Sequence, residues 1–155
     1  STGGFAQIVL ENGVDKLTCV DVGKEQLHVS LRTNEKIILR EETDIREFQS
    51  EEGFELITCD VSFISILQIM DDMDRLAQKG TDIVILYKPQ FEVGKDVRRD
   101  SKGVVLDLDA IARRKEGFEA EAKKLGGKQE HQALSQVQGK EGNQEYLYHF
   151  VKTEK

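Results

Sequence analysis

Three ionisable residues each close a predicted strand: Asp21 after Leu17-Thr18-Cys19-Val20, Asp60 after the run from Phe54 to Cys59, and Lys88 after the run from Asp82 to Tyr87. Glu145 opens the last predicted strand, which runs antiparallel, so its start lies at the edge where the others end. Ligands of an open parallel sheet bind beyond the carboxyl ends of its strands. One edge of the fold therefore gathers three carboxylates and a lysine, groups able to hold hydroxyls and move a proton. Each has a plainer role when taken singly. A strand-terminal Asp caps the next helix or turn, Lys88 is a solvated charge after a buried strand, and Glu145 is a lone exposed carboxylate. Their convergence argues for the set and not for any one member.

A second feature points to a nucleotide. Gly3-Gly4 opens the first predicted helix and leaves room for a ligand close to the backbone and the helix N-terminus. Asp21 comes 17 residues after Gly4, near the spacing at which an acidic side chain meets a ribose diol in nucleotide-binding folds. No Gly-x-Gly-x-x-Gly is present, and an NAD site and an S-adenosylmethionine site would both want an acid there.

The elements that must position these groups alternate along the chain. Phe5 to Leu10 reads as a helix with Gly13 just past its end, followed by the strand at 17–20 and a helical stretch from about Glu25 to Leu31. Lys36 to Leu39 is a strand candidate, and a charged stretch leads to the strand at 54–59. Ile66, Ile69, Met70, Met73, Leu76 and Ala77 recur at three- and four-residue spacing, which predicts an amphipathic helix over 65–78, ended by Gly80. The β-branched run 82–87 fits a strand covered on both faces. A helix over 108–125 precedes two strands, 128–138 and 144–151, joined as a hairpin across Gly139-Lys140-Glu141-Gly142-Asn143. The expected class is α/β, a mostly parallel Rossmann-like sheet with an antiparallel pair at the C-terminus.

Four ordered strings are more specific than any spacing: Ser1-Thr2-Gly3-Gly4-Phe5, Asp60-Val61-Ser62-Phe63-Ile64-Ser65, Lys88-Pro89-Gln90-Phe91-Glu92 and Gly142-Asn143-Gln144-Glu145-Tyr146. Together with Val20-Asp21-Val22-Gly23 and Lys102-Gly103-Val104-Val105, they resemble the TlyA, or haemolysin A-like, family. That family is a branch of the FtsJ-like ribose 2′-O-methyltransferases that act on ribosomal RNA with S-adenosylmethionine. The resemblance implies a Lys-Asp-Lys-Glu tetrad in which Asp60, Lys88 and Glu145 are the catalytic members present. It also implies that Ser1, Gly3 and Gly4 belong to the cofactor loop, that Asp21 holds the ribose hydroxyls, that Asp44 sits near the adenine and that Asp60 borders the cofactor. The partner implied is ribosomal RNA or a ribosomal subunit.

The implied chemistry suits these residue types. A ribose 2′-hydroxyl is a poor nucleophile until its proton is removed during attack on a sulfonium methyl. A lysine can take that proton if its pKa is lowered, or can stabilise the developing oxyanion if it stays charged. The Asp-Val-Ser-Phe string lacks the paired prolines of amino-methyltransferases, which argues against a base nitrogen as acceptor. In the family the first tetrad lysine, the first strand and a small S4-type domain lie upstream of the position of Ser1. Residues 1–155 therefore read as a methyltransferase domain truncated at its N-terminus. That strand would be central, so the sheet is expected to close by changed pairing, to borrow a strand from a neighbouring chain, or to be marginally stable.

Lys95, Arg98, Arg99 and Lys102 form a basic loop just after Lys88, where an RNA backbone would be met with salt-sensitive affinity; a mobile, solvated loop is the alternative. Global composition adds no nucleic-acid signal, since 22 basic against 29 acidic residues give a net charge of −7. With 38% apolar and 33% charged residues over 155 positions, a folded domain with one sizeable core is expected. No apolar run is long enough for a membrane span, which weighs against a membrane-acting haemolysin. The three histidines are scattered, so no metal site is expected, and Cys19 and Cys59 sit inside predicted strands as core residues of a cytoplasmic protein. Another nucleotide binder, such as an NAD enzyme, is the remaining rival, although Lys88 before Pro89 and Glu145 have no evident place in hydride transfer.

Overall fold

A computed structural model describes residues 4–21, 23, 27–139 and 141–153. The chain divides into two compact units, Ser1–Ser50 and Glu51–Lys155.

In the first unit, helix α1 (Gly4–Glu11) ends where Gly13 takes a φ of +86°, a left-handed turn that glycine adopts without cost. Strand β1 (Leu17–Val20) then pairs in parallel with β2 (Ile37–Arg40), in register Leu17 to Ile37 through Val20 to Arg40. The helix expected from about Glu25 is shorter. Residues 24–26 lie outside the described set, Leu27 sits in a bend, and α2 covers only Val29–Arg32. His28 is the reason: its backbone is extended, and its ring Nδ1 accepts from the N–H of Ser30, so it caps the helix from outside.

The second unit carries a four-stranded sheet. Its strands are β3 (Phe54–Cys59), β4 (Ala77–Tyr87), β5 (Gly127–Leu134) and β6 (Tyr146–Lys152), in the order β3-β4-β6-β5. β3 and β4 are parallel, and β6 runs antiparallel to both β4 and β5. The class is thus α/β with a mixed sheet and the expected antiparallel hairpin at the C-terminus. The described strands form two sheets, and no ladder among the described residues joins β1 to β3.

Helices α3 (Met70–Leu76) and α4 (Leu108–Lys124) supply the core over one face of this sheet. Ile83, Ile85 and Tyr87 alternate inward on β4, as do Tyr148 and Phe150 on β6. Phe118 of α4 inserts between them, 4.9 Å from the rings of both Tyr87 and Tyr148. Burying a side chain of this size contributes about 1.5–3 kcal/mol. Lys152 is also on this face, with its ammonium paired to Asp74 and the carbonyl of Leu125.

Two boundaries differ from expectation. The predicted helix over 65–78 is a 3-10 turn at Ile66–Gln68 followed by α3, which stops at Leu76. β4 begins at once at Ala77, five residues before the predicted start. Gly80, at φ +91°, does not end a helix; it lies in an irregular stretch of β4 between the pairs Phe54–Ala77 and Leu56–Asp82. Thr81 holds that stretch in place, since its hydroxyl donates to the carbonyl of Phe54 at 2.5 Å and accepts from Gln78 N–H at 2.9 Å. At the other end, β5 and β6 are joined not by a tight turn but by a loop over 135–145, closed by Ser135 N–H on the carbonyl of Glu145.

Candidate active site

The register of the sheet sets the site. Cys59 is level with Ile85 on the parallel strand, and Tyr87 is level with Tyr146 on the antiparallel one. Asp60, Lys88 and Glu145, each one residue beyond a strand end, therefore share one edge. Pro89 follows Lys88, offers no N–H to a ladder and starts a short 3-10 turn, which ends β4 at the point where the lysine is presented.

Lys88 Nζ lies 2.5 Å from Asp60 Oδ1 and donates to Ser62 Oγ at 3.1 Å. The lysine side chain is 13% exposed and that of Asp60 36%, so the pair is shielded on one side and open on the other. Glu145 is not the lone exposed carboxylate of the plainer reading; it is 6% exposed, and its Oε2 accepts from Gln90 Nε2 at 2.8 Å. Asp60 and Lys88 are thus brought into direct contact. Glu145 stands at the same edge on a different partner.

Residues that the strand-end reasoning missed tie several of the ordered strings together. Glu92 accepts from the hydroxyl of Ser65 and from Ile66 N–H, both at 2.6 Å, and so links the Lys88–Glu92 string to the Asp60–Ser65 string. Burial raises the pKa of the Glu92 carboxyl, against the lowering effect of those two donors and of Arg114. Asn143 accepts from Val105 N–H at 3.0 Å, which links the Gly142–Tyr146 string to Lys102–Val105. Phe63 stands 90% exposed beside Ser62, at the left-handed φ of +66°, with its ring 5.0 Å from that of Phe91. The signal for all of them was membership in the quoted strings; no local periodicity marks them.

The basic loop has structure of its own. Arg99 bridges to Val105, Leu106 N–H donates to the carbonyl of Arg98, and Asp100 accepts from the N–H groups of Lys102 and Val104. Val93, Val105 and Ala110 bury its base. Lys95, Arg98 and Lys102 remain exposed, while Arg99 turns inward and donates to the carbonyl of Gln90 at 3.2 Å.

Cofactor candidates fall in the first unit, apart from Asp60. Ser1 and Gly3 lie outside the described residues, and Gly4 is the first residue of α1. Asp21 follows β1; its Oδ1 accepts from Gly23 N–H at 2.9 Å, and its carbonyl accepts from Thr43 N–H at 2.9 Å. That second bond sets the segment carrying Asp44 beside the end of β1. The Arg46 side chain chelates the Asp44 carboxylate and, with its own N–H, holds the carboxyl well below the usual range, at about 2. Cys59 is a buried thiol pushed up to about 12, chiefly by burial and then by the charge of Asp60, as befits a core residue. No group of three or more potential metal ligands occurs among the described residues.

Comparison with known proteins bears on this arrangement. The profile described as FtsJ-like methyltransferase matches residues 1–152. The chain belongs to that family. A 23S rRNA (cytidine-2′-O)-methyltransferase, TlyA, of Campylobacter jejuni is 56% identical over 152 residues, which are 98% of this chain and 59% of that protein. The 16S/23S rRNA (cytidine-2′-O)-methyltransferase TlyA of Mycobacterium tuberculosis is 36% identical, over 95% of this chain and 56% of its own length. The chain thus spans somewhat over half the length of these curated relatives. Among solved structures, a Lactococcus lactis protein described as a hemolysin superposes with a TM-score of 0.90 at 30% identity, over 98% of this chain and 74% of that one. The FtsJ-like fold accounts for the mixed sheet and its C-terminal hairpin. Among the described residues no helix is long and apolar enough to cross a membrane.

Proposed function

We propose that this FtsJ-like domain transfers a methyl group from S-adenosylmethionine to the ribose 2′-hydroxyl of a ribosomal RNA nucleotide, a cytidine by analogy with its relatives, in the cytoplasm. The observation that carries the reading is the Asp60–Lys88 ion pair at 2.5 Å, held at the strand edge with Ser62 as a second partner of the amine. Lys88 meets the 2′-oxygen, and its charge stabilises the oxyanion that develops as the hydroxyl proton passes to solvent water; the cofactor, having given up its methyl, would leave as the neutral thioether. Asp60 fixes the direction of the amine, and Glu145 is the second carboxylate of the edge. When bound, S-adenosylmethionine supplies the electrophilic methyl. The carboxylates of Asp21 and Asp44 form an acceptor set suited to ribose hydroxyls and an exocyclic amine. Phe63 offers an exposed ring face for a base drawn out of its stack. Lys95, Arg98 and Lys102 meet the RNA phosphates, and Arg99 supports their loop from inside through the carbonyl of Gln90.

The test is transfer of labelled methyl to ribosomal subunits by this chain and by the chain joined to the N-terminal region of the Campylobacter relative. Label on ribose 2′-oxygen, lost in Lys88→Ala, supports the reading. Absence of label from both forms on either subunit overturns it, and haemoglobin release without S-adenosylmethionine would favour a membrane-acting role. Light scattering on the same preparations distinguishes a monomer from a strand-exchanged dimer.

A further inference from the structure

Glu145 is buried at the sheet edge, and two residues close side by side on one of its carboxylate oxygens. Gln90, two positions beyond Lys88, donates from Nε2 to Glu145 Oε2 at 2.8 Å. Gly139, in the 135–145 loop, lies against the same oxygen: a Cβ there would stand 2.6 Å from Glu145 Oε2 and 3.1 Å from Gln90 Nε2. A side chain there would have to push the Glu145 carboxylate or the Gln90 amide aside, so the bare backbone at position 139 is what lets the loop close without displacing the pair. The loop is pinned in that position, with Gly139 N–H donating to the carbonyl of Asn143 and Gly142 N–H to that of Gly139, both at 2.8 Å. Gln90 is held from behind, where Arg99 donates to its backbone carbonyl.

The other end of the Gln90 amide identifies what orients it. Its Oε1 is buried and finds no donor among the described residues. The amide therefore takes its direction from the carboxylate alone, through a bond strengthened by the carboxylate's charge. With Oε2 fixed in this way, Oε1 of Glu145 has one direction to face.

We propose that Gln90 and Gly139 are positioning residues for Glu145, acting on methyl transfer only through the placement of that carboxylate. The role in transfer rests on the reading of Glu145 as catalytic. Gln90→Leu and Gly139→Ala, each combined with Glu145→Ala, test it by a double-mutant cycle. Each single substitution is expected to lower kcat about tenfold or more, with KM for RNA and affinity for S-adenosylmethionine unchanged. Neither is expected to lower it further once Glu145 is alanine. Full additivity with Glu145→Ala, or an unchanged kcat in both singles, would overturn the proposal. A readout without catalysis accompanies it: the side-chain amide protons of Gln90, followed by nuclear magnetic resonance, are expected to exchange slowly in the unmodified chain and faster in Glu145→Ala. Free exchange in the unmodified chain overturns the placement even if no methyl transfer is found. Slow exchange together with absent transfer would sink the catalytic reading while leaving the clamp on Glu145 intact.

Discussion

Ser65 donates its hydroxyl to the carboxylate of Glu92 at 2.6 Å, across 27 residues of chain. The other oxygen of the same carboxylate takes Ile66 N–H, at the start of a 3-10 turn. One half-buried side chain thus fixes the loop that follows β3 to the loop that follows β4. Between those anchors stand Asp60, Ser62 and Phe63 on one side and Lys88 on the other, so the Asp60–Lys88 geometry depends on a residue that touches neither.

Glu92→Ala should therefore destabilise the second unit by about 1–3 kcal/mol, because it takes the acceptor from a half-buried hydroxyl and from the N–H of buried Ile66. The penalty should also vary with pH. Burial raises the Glu92 pKa in the fold, so its protonated form is the favoured one. Its contribution is full below the ordinary glutamate value of about 4.3 and declines as pH rises from there through the raised folded value. Urea unfolding from pH 4 to pH 8 should show that slope in the unmodified chain and lack it in the variant.

Lys88→Ala removes the ammonium paired with Asp60, which the proposed function sets against the acceptor hydroxyl. Methyl transfer should fall by about 10²- to 10⁴-fold. Binding of S-adenosylmethionine, measured by calorimetry, should change little. A fall in cofactor affinity that matched the fall in rate would move Lys88 from the reaction to the cofactor site.

Phe63 carries an exposed ring on a strained backbone. Phe63→Gly relieves the left-handed φ but loses the contact with Phe91, and these opposed effects should leave stability within about 1 kcal/mol. If the ring carries a base, transfer should drop about tenfold to a hundredfold, as for one lost stacking platform. Thermal unfolding and methyl transfer on the same preparation separate the two effects.

The basic loop makes a prediction in salt. Replacing Lys95, Arg98 and Lys102 together by alanine should weaken RNA binding and flatten the log–log dependence of affinity on salt by about two to three. Arg99 should behave differently, since it donates to the carbonyl of Gln90; its alanine variant should lower kcat as well as affinity. An unchanged salt slope in the triple variant would leave the loop out of the RNA interface.

Much of this site was legible in the residues themselves. A strand has a period of two and ends where its apolar run ends, so β1 and β3, and with them Asp21 and Asp60, could be located to the residue. Lys88 followed because a proline after an apolar run stops a central strand, and Glu145 because a run of aromatic and β-branched residues begins just beyond it. Tertiary contacts decided what local patterning could not. The apolar spacing from Ile66 to Ala77 fits one long helix, but pairing of Ala77 with Phe54 and the two bonds of Thr81 turn its end into strand. Gln90 meets Glu145 across 55 residues, and Val105 meets Asn143 across 38, separations over which sequence periodicity carries no information. The residue types and their strand-end positions determined which groups could do the chemistry. Only the closing of loops over the sheet edge decided that Lys88 pairs with Asp60, and that Glu145 is buried and held by an amide.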